Sequence, residues 1–133
     1  MQGPTVSTAR LIIYYHDVAC MVSVIESKMS ICQKWIRVTA DQKDDGTISI
    51  KVESDCDALQ HFAEQLTSVT VDDVTNFETS SINKESIRGN MSMICVAPIL
   101  VYQAAWMEIG MLSRRIFPMS GPITIDMGKS EEP

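Results

Sequence analysis

The four cysteines and two histidines of this chain of 133 residues, Cys20, Cys32, Cys56, Cys95, His16 and His61, are its thiol and imidazole candidates for nucleophilic, redox or metal chemistry. The cysteines are spaced by 12, 24 and 39 residues, with no C-x-x-C pair, and the histidines have no H-x-x-x-H spacing. Any joint chemistry must therefore be assembled by the fold. Cys95 stands just ahead of Pro98, where the amides of a helix N-terminus favour a thiolate. Set among Met93, Ile94 and Val96, it reads first, taken alone, as a buried core thiol. Cys56 falls in the first turn of a helix, flanked by Asp55 and Asp57 and on the apolar stripe, so packing is its simplest role. Cys32 lies in the connection between two strands, with Lys28 and Lys34 nearby in sequence. His61 reads as a surface histidine and His16 as a structural residue at a strand end.

What raises the thiols above background is placement. A β-connection and two helix N-termini can share one end of a sheet, and Cys32, Cys56 and Cys95 are then the expected metal ligands. Sulfur donors suit zinc, an iron–sulfur group or a redox pair with a third partner. Zinc ordinarily takes four ligands, which leaves Cys20, His61, His16, an exogenous ligand or a second subunit as the fourth. The sequence has no nucleophile elbow, P-loop, dinucleotide fingerprint or calcium loop.

The elements that must position these residues are legible to different degrees. Residues 11–15 and 21–28 are apolar runs consistent with strands. Residues 34–41 favour an extended chain, and residues 47–53 alternate apolar and polar with period two. Asp44-Asp45-Gly46 between them is a hairpin turn, so Ile48, Ile50 and Val52 face a core while Ser49, Lys51 and Glu53 face water. Ser54 and Asp57 form an approximate capping box for a helix whose apolar stripe is Cys56, Leu59, Phe62, Ala63 and Leu66. Residues 67–93 carry weaker signals: a cap at Thr70 to Asp73, a loop at 79–81, and a turn from residue 83 stopped by Gly89. Pro98 opens a long apolar helix that is expected to run to about Ile116 and to end at Arg114, Arg115 and Pro118. Its polar residues Gln103 and Glu108 lie about 140° apart on the wheel, so the helix must be central in the fold or shared with a second subunit. Residues 123–127 read as a short strand. The expected fold class is α+β, a mainly antiparallel sheet packed against a short amphipathic helix and a long apolar C-terminal helix.

Composition narrows the partners. Seventeen acids against eleven bases leave a net charge of −6, which excludes an electrostatic footprint for nucleic acid. The 94–112 stretch is broken by Pro98, Gln103, Glu108 and Gly110, so no membrane span is expected. Residues 11–15 are too short for a signal-peptide core, and free thiols fit a cytoplasmic protein.

From residue 21 onward the sequence resembles a family of small uncharacterised domains of anaerobic archaea and bacteria with three characteristic cysteines. The resemblance rests on Ile31-Cys32, on residues 50–56 (Ile-Lys-Val-Glu-Ser-Asp-Cys) and on Cys95-Val96-Ala97-Pro98. It implies glycine where Gln33 stands and proline where Val96 stands, two departures in this chain. It implies the α+β fold and points to Cys32, Cys56 and Cys95, without naming an activity. Residues 1–20 are then an N-terminal extension, 21–127 a single domain and 128–133 a disordered tail. Three functions follow: a thiol cluster for metal, iron–sulfur or redox chemistry; a homo-oligomer formed through the 94–112 helix; and a small-molecule binder or thiol enzyme at Cys95.

Overall fold

The computed structural model describes residues 10–17, 20–29 and 31–113, with side chains from residue 22 onward in that range. Among the described residues, five strands form one antiparallel meander in the order β1-β2-β3-β4-β5. These are β1 (Arg10–Asp17), β2 (Cys20–Lys28), β3 (Trp35–Gln42), β4 (Ile48–Ser54) and β5 (Ser68–Val69). β1 arises within the stretch read as an extension and pairs along β2 from Arg10 opposite Glu26 to Asp17 opposite Cys20. The hairpin between β3 and β4 forms as its alternation requires. Gly46 takes φ +90° in the turn, and Asp45 Oδ1 accepts from the Thr47 amide at 3.0 Å and its hydroxyl at 2.7 Å. Ile48, Ile50 and Val52 are buried and Lys51 is exposed. On that same outer face of the sheet, however, Val24 and Glu26 of β2 are only 2% and 3% exposed, and Glu26 is paired with Arg37 Nε at 2.8 Å.

The Ser54–Asp57 capping box does not form. Ser54 ends β4 instead, and its hydroxyl donates to Trp35 O at 2.7 Å and accepts from Cys56 N at 3.0 Å. A 3-10 turn (Asp57–Leu59) then leads into α1 (Gln60–Gln65), with Leu59, Phe62 and Leu66 buried as the stripe predicts. The weak signals of 67–93 become α2 (Val71–Thr75) and α3 (Glu85–Arg88). α2 has a full capping box: Asp73 N donates to Thr70 Oγ1 at 3.1 Å, and Thr70 N donates to Asp73 Oδ2 at 2.9 Å.

The long helix is shorter than its apolar run. α4 (Ala97–Glu108) has proline in its first turn and stops at Ile109, short of Ile116. Gly110 takes φ +80°, its amide donates to Met107 O at 3.3 Å, and the Met111 amide reaches back to Trp106 O at 2.9 Å. That pair of bonds is a Schellman motif, which needs a left-handed residue and finds one in glycine. Arg114, Arg115, Pro118 and the strand at 123–127 lie outside the described residues. α4 packs on β2 and β3 and buries Ala97, Pro98, Leu100, Val101, Ala104, Ala105 and Met107. No helix among the described residues is long and apolar enough to cross a membrane.

The outer side of α4 is fastened by polar contacts. Trp106 Nε1 donates to Val74 O at 2.6 Å, and Tyr102 Oη bonds to Ser80 Oγ at 2.7 Å. Asp73 Oδ1 steadies this segment by accepting from Ser81 N at 3.0 Å. Burial pushes the Asp73 carboxyl up, but the bonds from Thr70 and Ser81 together outweigh it and hold the group below its ordinary 3.8. A depressed carboxyl stabilises the fold above its unfolded pKa and loses that contribution as the pH falls through its folded value. Asp73→Ala is therefore expected to cost about 1–2 kcal/mol near neutral pH. In urea titrations, its deficit against the parent should shrink as the pH is taken below 3.8.

Candidate functional site

The direction of α4 decides where Cys95 lies. Glu108, the last residue of the helix, accepts from Ser23 Oγ through Oε2 at 2.7 Å and from Gln42 N through Oε1 at 3.0 Å. Ser23 lies near the start of β2 and Gln42 ends β3, so the helix C-terminus is tied to that end of the sheet. Twelve residues at about 1.5 Å each carry the helix back along strands that rise about 3.3 Å per residue. Its N-terminus and Cys95 therefore come to the other end, where Lys28 pairs with Trp35 and Ile36 with Ser54. Cys32 sits in the β2–β3 loop at this end, and Cys56 follows β4 two residues after Ser54.

Each thiol is held differently. Cys32 is exposed; Cys56 and Cys95 are half-buried, packed against the core, and all three are free. The loop around Cys32 closes through Gln33 N to Met29 O at 2.8 Å and Met29 N to Lys34 O at 3.0 Å. Cys56 caps the 3-10 turn with extended backbone, and its carbonyl accepts from Leu59 N at 3.1 Å. Cys95 is positioned by a turn to Ser92 O at 3.1 Å, and Arg88 Nη2 pins the same carbonyl at 3.3 Å.

Burial raises the Cys95 thiol above its ordinary 9.0, against the lowering pull of the Ala97 amide at the helix start. Negative charge on Cys56 and Cys32 raises it further, while Arg88 lowers it. Cys56 and Cys32 thus each act on Cys95 through space, and the helix N-terminus does not by itself create a thiolate. Among the described residues, no group of three His, Cys, Asp or Glu side chains is already placed to hold a metal ion. The thiols are neighbours at one end of the sheet, and a closed coordination shell requires them to turn toward a common point.

The other candidates go elsewhere. The Cys20 backbone pairs with Asp17 at the opposite end of β2, and His16 belongs to the same end of β1. His61 is exposed, as expected, and its Nε2 donates to Ser86 O at 2.7 Å, bridging α1 and α3. Its ring lies so close over Gly89 that an added Cβ would stand 2.7 Å from Cδ2. Sequence reasoning missed Arg88 as the cation near Cys95 and Glu108 as the clasp that orients α4. The clasp had a signal: a lone carboxylate in a helix apolar nearly all round needs buried partners.

Two departures from the resemblance acquire physical meaning here. Gln33 has φ +60°, the left-handed region in which glycine carries no Cβ penalty. Val96, at the N-cap of α4, has φ −83°, close to the value proline imposes.

Residues 23–117 match a family of unknown function (DUF6951), a span that includes Cys32, Cys56 and Cys95 and leaves out Cys20. No curated protein and no solved structure matches the chain.

Relief of the left-handed strain at residue 33 is measurable. Gln33→Gly should raise stability by about 0.5–1 kcal/mol, and Gln33→Val should lower it by about 1 kcal/mol, in chemical denaturation under reducing conditions.

Proposed function

The chain belongs to the DUF6951 family of unknown function, and from that premise we propose that the domain is a thiolate site for a soft metal, zinc or an iron–sulfur group, held by Cys32, Cys56 and Cys95. The observation that carries this reading is that three segments far apart in sequence deliver free thiols to one end of the sheet, with Cys32 and Cys56 both acting on Cys95. Cys32 is exposed, so core packing does not account for its place. Sulfur donors of this number favour thiophilic metals over magnesium or calcium. A cation would reverse the local electrostatics, since three thiolates repel one another until a positive charge lies between them. Arg88 supplies part of that compensation in the protein itself. The reading belongs to a reducing compartment such as the cytoplasm, where thiols stay free, and it involves neither nucleic acid nor membrane.

A second reading, a homo-oligomer formed through the 94–112 segment, is favoured by the apolar side chains that stay exposed on α4 and on the residues flanking it. Ile94, Ile99 and Met111 are 64%, 51% and 51% exposed, and Trp106 is 36% exposed.

Protein purified anaerobically should carry zinc or iron in a fixed ratio to the chain, with sulfide if the group is a cluster. Cys56→Ser and Cys95→Ser should lose it while keeping the parent circular dichroism, and Cys20→Ser should retain it. Metal-free parent protein that also takes up no zinc or iron on anaerobic addition would refute the reading, as would equal metal loss in Cys20→Ser.

A further inference from the structure

The turn after α2 holds a large apolar side chain in water. Phe77 is 99% exposed, and Val71 at the start of α2 is 43% exposed. The backbone beneath Phe77 is nonetheless fixed by hydrogen bonds on both sides of it. Asn76 caps α2 through its amide to Asp72 O at 3.0 Å, and its Oδ1 accepts from Glu78 N at 3.0 Å. Ser80 N closes the turn on Asn76 O at 3.1 Å, and the Thr79 hydroxyl donates to Asp72 Oδ2. The two flanks are fastened to α4, Val74 O by Trp106 before the turn and Ser80 Oγ by Tyr102 after it. The ring is held outward by a turn that is itself anchored to the core helix.

A ring that stands this far out of the surface lines no cavity for a small ligand, so the concave half of its contact belongs to a partner. Aromatic side chains on ordered backbone are the usual anchors of protein–protein contacts, because little freedom is left to lose on binding. Charge selects the partner. Residues 71–85 carry four carboxylates, Asp72, Asp73, Glu78 and Glu85, against one cation, Lys84. Such a surface repels anionic lipid headgroups and nucleic-acid phosphates, and in a chain of net charge −6 it repels a second copy of itself. It attracts lysine and arginine side chains.

We propose that the 76–80 turn is a docking knob for a different protein: the Phe77 ring enters an apolar pocket of the partner, whose rim carries lysine and arginine side chains facing Glu78 and its acidic neighbours. The ring supplies the apolar anchor, and the carboxylates around it supply long-range attraction and the choice of a basic partner. The knob is separate from the thiol end, since Cys95 precedes α4 whereas Tyr102 and Trp106, which fasten the turn, lie in the middle and last turns of that helix. It therefore stands or falls independently of the metal reading.

The test is the full-length Phe77→p-benzoylphenylalanine protein, photolysed in cells of the source organism, with the cross-linked chain identified by mass spectrometry. The captured protein is then purified, and its affinity for the unmodified chain is measured by calorimetry. Phe77→Ser should weaken binding about thirtyfold and leave the urea midpoint unchanged, because the ring packs against nothing in the fold. Glu78→Lys should weaken it as well, and the parent affinity should fall as salt rises from about 0.05 M to about 0.5 M. An adduct of twice the chain mass, an adduct to lipid or nucleic acid, or no adduct at all would overturn the proposal. So would a partner that binds Phe77→Ser as tightly as the parent, or one whose affinity does not fall with salt.

Discussion

The Glu108 carboxylate fixes the orientation on which the rest of the structure depends. Its two oxygens take a donor from each of the two central strands under α4, the Ser23 hydroxyl and the Gln42 amide. Hydrogen bonds to a charged acceptor are stronger than neutral ones, and leaving Ser23, which is fully buried, without a partner would cost about 1–3 kcal/mol. An apolar helix can pack on an apolar sheet in either direction with similar area buried. The carboxylate at one end removes that degeneracy, and the opposite helix end, with Cys95, is thereby delivered to the Cys32 and Cys56 loops.

The packing beneath is shaped to the same purpose. Ala97, Ala104 and Ala105 are fully buried, and their small side chains let α4 lie close over β2 and β3. Ile25, Ile36, Val38, Ala40 and the inner face of β4 complete one core with Phe62, Leu66 and Ile82. On the outer side, Trp106 to Val74 O and Tyr102 to Ser80 fasten the 70–83 segment over the helix. Arg88 connects this segment to the thiol end through Ser92 O, so the position of Cys95 is set from both sides, by the helix it precedes and by the turn behind it.

How much of this was legible follows from how local each signal is. The β3–β4 hairpin, the Phe62 stripe and the Thr70 cap are written in neighbouring residues, and each forms where its pattern lies. The α4 boundary was misread because an apolar run past Gly110 looks like more helix. Glycine at a left-handed position outweighs apolar periodicity, since the Schellman bonds satisfy carbonyls that would otherwise be unpaired. Ser54 was misread as a cap because a hydroxyl near an acid fits that role in sequence, while its partner Trp35 O lies across the sheet. Gly at position 33, implied by resemblance, has its cause in a backbone angle no spacing reveals. The gathering of Cys32, Cys56 and Cys95 depends on strand order and helix direction together, and helix direction depends on contacts 66 and 85 residues apart in sequence.

Thiolates brought to one end of the sheet would repel one another, and the proposed reading places a cation between them. The direct test of the account is X-ray absorption at the zinc edge on zinc-saturated, reduced protein. The account predicts a first shell of sulfur at about 2.3 Å with at least three sulfurs per zinc. A shell dominated by oxygen or nitrogen at about 2.0–2.1 Å would contradict it.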